Sequence, residues 1–410
     1  MKLLQLTFII LLILSCSEKK QAEYTPWGEL ITDSITPQAA GTYTVQDIIG
    51  NGEMIMLTMS GPESYYDYHG RGMGTQYRLC ERLAEKLGVS LRVDVCKTKE
   101  EMISRLKNGD GDIIAYQIAT KQDGTIPCGY RTDSTAWAVS SDNKELADSV
   151  NKWYSPSLLA EVKREEKTQL SVASVHRHVY APMLNSSRGE ISQYDHLFQR
   201  YAPIARWDWR LMAAQCYQES CFDPKAYSWA GARGLMQIMP ATAAHLGLAE
   251  DKMYDPEESI YAAARYIAEL SKHFQDVRNP TERQFFVLAS YNGGYFHIRD
   301  AMRLAEKYGK DKHRWDDVAP FILNLQTPQY YNDPVVKYGY MRGTETVGYV
   351  ARIRDRWRQY RGVARAGSSS AFSFPAPGTD APHKATKKHR FKLQELTYIK
   401  YCLIHKESYI

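Results

Sequence analysis

Residues 219–240 read Glu219-Ser220-Cys221-Phe222-Asp223-Pro224-Lys225-Ala226-Tyr227-Ser228-Trp229-Ala230-Gly231-Ala232-Arg233-Gly234-Leu235-Met236-Gln237-Ile238-Met239-Pro240. The stretch opens at the end of a predicted helix, Leu211 to Ser220, in which Met212, Cys216 and Glu219 fall on one face at i, i+4 and i+7. Asp223-Pro224 stops that helix. A Gly-rich turn follows, then a single polar side chain, Gln237, inside an apolar run. A carboxylate on an apolar helix face, with no obvious cationic partner, has its charged form disfavoured by desolvation, so its pKa should rise. A general acid working near neutral pH needs that shift.

The pattern on either side is almost wholly helical. Met236 to Leu246 reads as a helix capped by Gly247. Asp255-Pro256-Glu257-Glu258 supplies a capping Asp, a Pro at the first helical position and a Glu three after the cap. The helix it starts turns Ile260, Ala263, Ile267, Leu270 and Phe274 inward. Asn279-Pro280-Thr281-Glu282 repeats the device for a helix from Arg283 to Ser290, ended by Tyr291-Asn292-Gly293-Gly294. Another helix runs to Tyr308, and a last one spans about Glu345 to Tyr360. Enzymes that cleave glycosidic bonds mostly use two carboxylates. The nearest second carboxylate is Asp223, and its place before Pro224 suits a turn. With one carboxylate, the nucleophile must be water or a group of the substrate itself.

Four separated motifs now carry a resemblance: Glu219-Ser220; Gly231 to Pro240; Ser290-Tyr291-Asn292-Gly293-Gly294; and Tyr349-Val350-Ala351-Arg352-Ile353. In spacing and order they resemble the goose-lysozyme-like catalytic domain of soluble lytic transglycosylases, with Ser290 where that family commonly has Ala. The resemblance implies a mostly α, lysozyme-like domain over 190–361 that acts on peptidoglycan glycan strands. It implies cleavage of the glycosidic bond after N-acetylmuramic acid, leaving 1,6-anhydro ends, with no metal or cofactor. Glu219 would be the acid and then the base. Ser228 and Gln237 would hydrogen-bond the sugar, and Met239 would line the floor. Tyr291 and Asn292 would form the cleft wall, and Tyr349 would sit near Glu219 and help set its protonation. Two other readings stay open: a muramidase in which Glu219 works with water, and a non-catalytic wall-binding or sensor protein.

Residues 41–165 alternate strands and helices, which implies an α/β layer with a mainly parallel sheet. Met54 to Met59 suits a buried strand, and Gly70 to Gly74 reads as a flexible turn. A helix from Thr75 carries Tyr77, Cys80, Leu83 and Leu87 and ends at Gly88. A strand with Leu91, Val93 and Val95 follows, then a helix from Glu100 to Lys107 and a strand from Asp112. This order, with Leu106 to Ala115, resembles the first lobe of amino-acid-binding periplasmic solute-binding proteins. Two departures mark it as a single reduced lobe. The family places an Arg shortly after the last of these strands, where this chain has Ala119-Thr120-Lys121-Gln122-Asp123-Gly124. From there the chain passes almost directly to Ala136-Trp137-Ala138-Val139, with no room for a second lobe. Weak binding of peptidoglycan peptides, regulation by a muropeptide and positioning of the second domain are all open for it.

Residues 1–15 combine one Lys with a short apolar run and precede Cys16, the pattern of a secretory leader. The run is shorter than the ~20 residues a spanning helix needs. Leu14-Ser15-Cys16 resembles a bacterial lipoprotein box, which implies a leader over 1–16, lipid on Cys16, a tether over 17–40 and a membrane attachment. Ser17 after the cysteine resembles signals for the outer membrane, so the protein is expected to face the periplasm. Residues 166–189 read as a linker. The 410-residue chain has a net charge of +5, too mild to argue for nucleic acid. Cys80, Cys96, Cys128, Cys216, Cys221 and Cys402 match no zinc spacing and read as free, partly buried thiols. Ala366 to Pro382 is rich in Gly, Ser, Ala and Pro, so 362–410 reads as a disordered tail, basic from Lys384 to Lys392.

Overall fold

The first half folds around a five-stranded sheet whose spatial order is β4-β1-β5-β7-β6. Strand β1 (Glu53–Met59) lies between β4 (Ser90–Cys96) and β5 (Ile113–Ala119) and is parallel to both. Strand β7 (Thr135–Ser140) runs antiparallel to β5 and to β6 (Thr125–Arg131), so four strands point one way and one is reversed. A mainly parallel sheet needs cover on both faces, and β1 shows why. Its Met54 and Met56 face Leu79, Cys80 and Leu83 of α2 (Thr75–Leu87), below α1 (Val45–Asn51). Its Leu57 faces the opposite way, onto Met102 and Leu106 of α3 (Lys99–Lys107). Helix α4 (Lys144–Trp153) adds Leu146, Ala147 and Val150 to the first of these layers. The single α/β lobe expected from the sequence is present. This description comes from a computed structural model, which describes residues 43–171, 174–178, 185 and 188–363. The leader with Cys16, the tether and residues 364–410 lie outside those residues, while Gly362 and Val363, expected at the start of the tail, end the last helix.

Three local readings need correction. Gly70 to Gly74 is not a flexible turn: β2 (Tyr66–Tyr68) and β3 (Arg71–Met73) form a hairpin there. His69 and Gly70 at its tip both have positive φ, the geometry of a two-residue hairpin turn. Distant apolar contacts order it, because Tyr66 and Met73 are buried together with Tyr340. Strand β6 escaped the sequence reading because Pro127 and Gly129 interrupt its apolar pattern. Helix α5 (Pro156–Gln169) runs straight through position 165, held on α2 by Arg82 and Glu165 at 2.7 Å and by Thr75 and Glu166 at 2.9 Å.

The second half is helical. Helix α6 (Asp195–Ala205), absent from the sequence reading, packs beside α7 (Trp209–Ser220). The two-residue strands β8 (Val175–His176) and β9 (Tyr227–Ser228) pair antiparallel. Helix α8 (Pro240–Leu246) starts four residues later than its apolar pattern suggested, because Gln237 takes a left-handed φ of 47° and Pro240 occupies the first helical position. Helices α9 (Pro256–Lys272), α10 (Pro280–Gly293) and α11 (Tyr295–Lys307) follow. Asp255 and Asn279 cap α9 and α10 with their side chains. Helices α12 (Trp315–Asn324) and α13 (Pro328–Tyr331) lead to α14 (Gly343–Val363). The core is continuous through Leu211, Met236, Ile260, Phe286, Ile322 and Ile353. Both halves belong to one compact unit.

Candidate active site

Helix α7 is buried on nearly every side, with Leu211, Met212, Ala213, Ala214, Gln215 and Cys216 excluded from solvent. It packs on α14 and α6. Asp208 caps its start, accepting from Arg210 N and, through its other oxygen, from Trp357 Nε1 of α14 at 3.1 Å. The helix ends abruptly because Cys221 and Phe222 both take left-handed φ values. That places Glu219 on the last turn, half-buried, with its carboxylate at the floor of a cleft of about 420 Å³. Of the orphaned carbonyls at this helix end, that of Glu219 is met by Arg177 Nη1 at 3.2 Å.

Burial pushes the Glu219 carboxyl up to about 7. The Tyr349 hydroxyl donates to its Oε1 at 2.5 Å and opposes that rise, as do the charges of His69 and Arg177, while Glu345 adds to it. Burial beside Glu219 drives Tyr349 well above its ordinary value, so Tyr349 stays a neutral donor at all ordinary pH. Asp223, the other acid of the opening stretch, is tied up elsewhere. Burial alone would raise it, but hydrogen bonds from the backbone N–H groups of His178 and Lys225 hold it below the usual range. It braces the turn.

All seven side chains singled out from the sequence, Glu219, Ser228, Gln237, Met239, Tyr291, Asn292 and Tyr349, line this one cleft. Their local bonding differs. Tyr291 donates to the carbonyl of Met236 at 2.8 Å, and Asn292 Oδ1 accepts from Thr346 Oγ1 at 2.8 Å. Gln237 donates its amide N–H groups to the carbonyls of Ala226 and Gly234. Ser228 Oγ accepts from Ala232 N at 3.0 Å. Met236 is fully buried core, whereas Met239 reaches the cleft.

Sequence reasoning missed part of the wall. The β2–β3 hairpin carries Tyr68 and His69 into the cleft, where both lie against Glu345 of α14. The Tyr68 hydroxyl donates to both Glu345 oxygens, at 3.0 and 2.9 Å, and His69 Nε2 lies 3.5 Å from one of them. Burial would raise Glu345, yet His69, Tyr68 and Arg342 together bring it below its ordinary value. The hairpin is fastened to the Gly-rich turn as well: Tyr68 stacks on Trp229 at 6.1 Å, and Arg71 Nε donates to the Ala230 carbonyl at 3.1 Å. The spacing of Glu345 and Tyr349, one helical turn apart, was the sequence signal for Glu345. Nothing local in the sequence could have brought residues 68 and 69 here.

Residues 196–314 match the transglycosylase SLT domain model. The chain carries an SLT domain. A curated protein of Maricaulis maris, described as membrane-bound lytic murein transglycosylase F, is 43% identical over 40% of this chain and 35% of its own length. A protein of the same description from Desulfosudis oleivorans is 28% identical, covering 74% of this chain and 88% of that protein. The chain therefore spans about a third of the first relative and nearly nine-tenths of the second. Among solved structures, the arginine-bound form of domain 1 from TmArgBP matches at 20% identity and a TM-score of 0.24, covering 28% of this chain and 97% of that one. The SLT match begins within α6 and ends just before α12, so it includes Glu219, Gln237, Tyr291 and Asn292 but not Tyr349 or Glu345.

Cys80, Cys96, Cys128, Cys216 and Cys221 are buried free thiols, as expected, and Cys402 lies outside the described residues. No helix among the described residues is long and apolar enough to cross a membrane.

Proposed function

We propose that the protein is a peptidoglycan lytic transglycosylase that cleaves the bond between N-acetylmuramic acid and N-acetylglucosamine. One observation carries the reading: the cleft holds one carboxyl, Glu219, that burial pushes up to about 7 and that the Tyr349 hydroxyl meets, while the neighbouring carboxylate, Glu345, is held by Tyr68, His69 and Arg342. Glu219 gives its proton to the departing glucosamine oxygen as the C1–O bond breaks. The resulting carboxylate takes the proton of the muramoyl C6 hydroxyl, whose oxygen bonds to C1 of its own ring. The product is a 1,6-anhydro end, and no water enters. The internal hydroxyl is already beside C1, so proximity favours it over bulk water.

Tyr349 steadies Glu219 and stabilises the carboxylate between the two steps. Gln237, Ser228, Tyr291, Asn292 and Met239 hold the sugar over it. In this reading Cys16 carries lipid that fixes the enzyme to the outer membrane, facing the periplasm, and each buried methylene of that lipid contributes about 0.8 kcal/mol.

Digestion of purified sacculi in ¹⁸O-labelled water tests the reading. A lyase leaves the new ends unlabelled. Label at C1 of the new ends would mean that water is the nucleophile and the enzyme a muramidase, and binding without any cleavage would mean a non-catalytic wall protein.

A further inference from the structure

Gln215 is the one polar side chain in the stretch of α7 from Leu211 to Cys216, and it is wholly excluded from solvent. Neither its Oε1 nor its Nε2 finds a hydrogen-bond partner among the described residues. It stands one helical turn before Glu219, on the same face of α7. Helix α14 packs along that helix and brings Tyr349 to Glu219. Burial drives the Tyr349 hydroxyl well above its ordinary value, and the Gln215 amide acts on the same hydroxyl in the opposite sense. The amide therefore lies beside the phenol without a completed hydrogen bond.

A buried primary amide has two N–H donors and an acceptor oxygen, and leaving them unmet weakens a fold. An apolar side chain of the same length would fill the place without that loss. A buried polar group without a partner calls for an explanation. The direction of the neighbouring bond supplies one. The Tyr349 proton goes to Glu219 Oε1 at 2.5 Å, so the phenol oxygen can only accept on its other side. Of the two ends of the Gln215 amide, the N–H end fits that oxygen. A donor behind the phenol matters most once Glu219 is ionised. The phenol O–H then leans toward the carboxylate, its oxygen gains negative charge, and a third group in line strengthens the chain. Bonds of this kind tighten in the reacting complex.

We propose that Gln215 is a positioning residue for the reaction: its amide N–H closes on the Tyr349 oxygen as Glu219 gives up its proton, forming a relay from amide to phenol to carboxylate. The proposal rests on the reading of Glu219 as acid and base, and adds a residue that acts on it only through Tyr349. Gln215 is not among the side chains that line the cleft, so it contributes to turnover and not to binding of the strand. The relay also accounts for an amide without which the fold would be more stable.

The test compares full-length wild type with Gln215→Met, which keeps the length of the side chain and removes the amide, on soluble peptidoglycan strands. In the variant kcat should fall about tenfold, the effect of one hydrogen bond, with KM unchanged. The alkaline limb of kcat/KM should move to higher pH, because Tyr349 then favours ionised Glu219 less. His69, Arg177 and Glu345, the charged groups that act on Glu219, are untouched by the change. Tm should rise by about 2–4 °C as the unmet amide is lost. In a Tyr349→Phe background the same substitution should alter neither kcat nor the limb, since the relay has lost its middle member. Gln215→Asn, which keeps the amide and shortens its reach, should lose turnover as Gln215→Met does, and carries the comparison if Gln215→Met fails to fold. Wild-type kcat and limb in the variants would overturn the proposal, whatever their Tm. So would an equal loss with and without the Tyr349 hydroxyl. Cleavage by wild type with the variants unchanged refutes the proposal alone, whereas no cleavage by wild type refutes the reading of the function and takes the proposal with it.

Discussion

The Tyr349 hydroxyl lies 2.5 Å from Glu219 Oε1, joining the last turn of α7 to the second turn of α14 across the floor of the cleft. A half-buried carboxyl and the buried phenol that donates to it form a device for setting acidity. Burial raises Glu219, and the phenol, by donating to the ionised form, limits the rise. Tyr349→Phe removes the limit. The alkaline limb of kcat/KM should move to higher pH than in wild type, and kcat should fall about tenfold through loss of one hydrogen bond to the charged intermediate. A pH–rate profile of the variant reads both.

Glu345→Gln should move the same limb the other way. The negative charge of Glu345 helps to raise Glu219. Removing it lowers the pKa of Glu219, and His69 and Arg342, no longer shared with Glu345, pull in the same direction. The variant should lose activity at a lower pH than wild type. An unchanged limb would mean that Glu345 and Glu219 are electrostatically uncoupled.

Glu219→Gln should be inactive, with turnover reduced at least ~100-fold, yet more stable than wild type. The folded pKa of Glu219 is about 7 against an ordinary 4.5, so between those values the folded state binds more protons than the unfolded one. Its burden on folding is absent below pH 4.5 and complete above pH 7. Thermal melts should show the variant above wild type at pH 8, with the gap closing toward pH 4.

Gly234→Ala should be costly. Gly234 has a φ of +75°, and a Cβ there would come within 2.0 Å of the Met253 carbonyl oxygen. The backbone cannot yield without disturbing the turn that Gln237 clamps. A loss of more than about 2 kcal/mol is expected from strain and clash together. Denaturant unfolding of the variant measures it.

The readable part of this molecule is the part written in local pattern. The capping residues Asp255 and Asn279, the alternation of strands and helices before residue 150, and the carboxylate at the end of α7 all act within a turn or two of themselves. The seven side chains that line the cleft were identified because their motifs recur together in a known family. The unreadable part depends on contacts between distant segments. Tyr68 reaches Glu345 across 277 positions of sequence, and Arg177 reaches Glu219 from just beyond the two-residue strand β8. The apolar pattern overextends α8 by four residues at its start because Met236 and Ile238 continue the spacing of the residues after them. The left-handed Gln237 that breaks the helix is paid for by its two amide hydrogen bonds, which no local pattern reveals.

The most direct test of the account is the mass of the muropeptides released from purified sacculi by the wild-type protein, measured beside Glu219→Gln. The account predicts disaccharide-peptides lighter by one water than the hydrolysis products, ending in 1,6-anhydromuramic acid, from wild type and none from the variant. Products with reducing ends from wild type, or anhydro products from the variant, would contradict it.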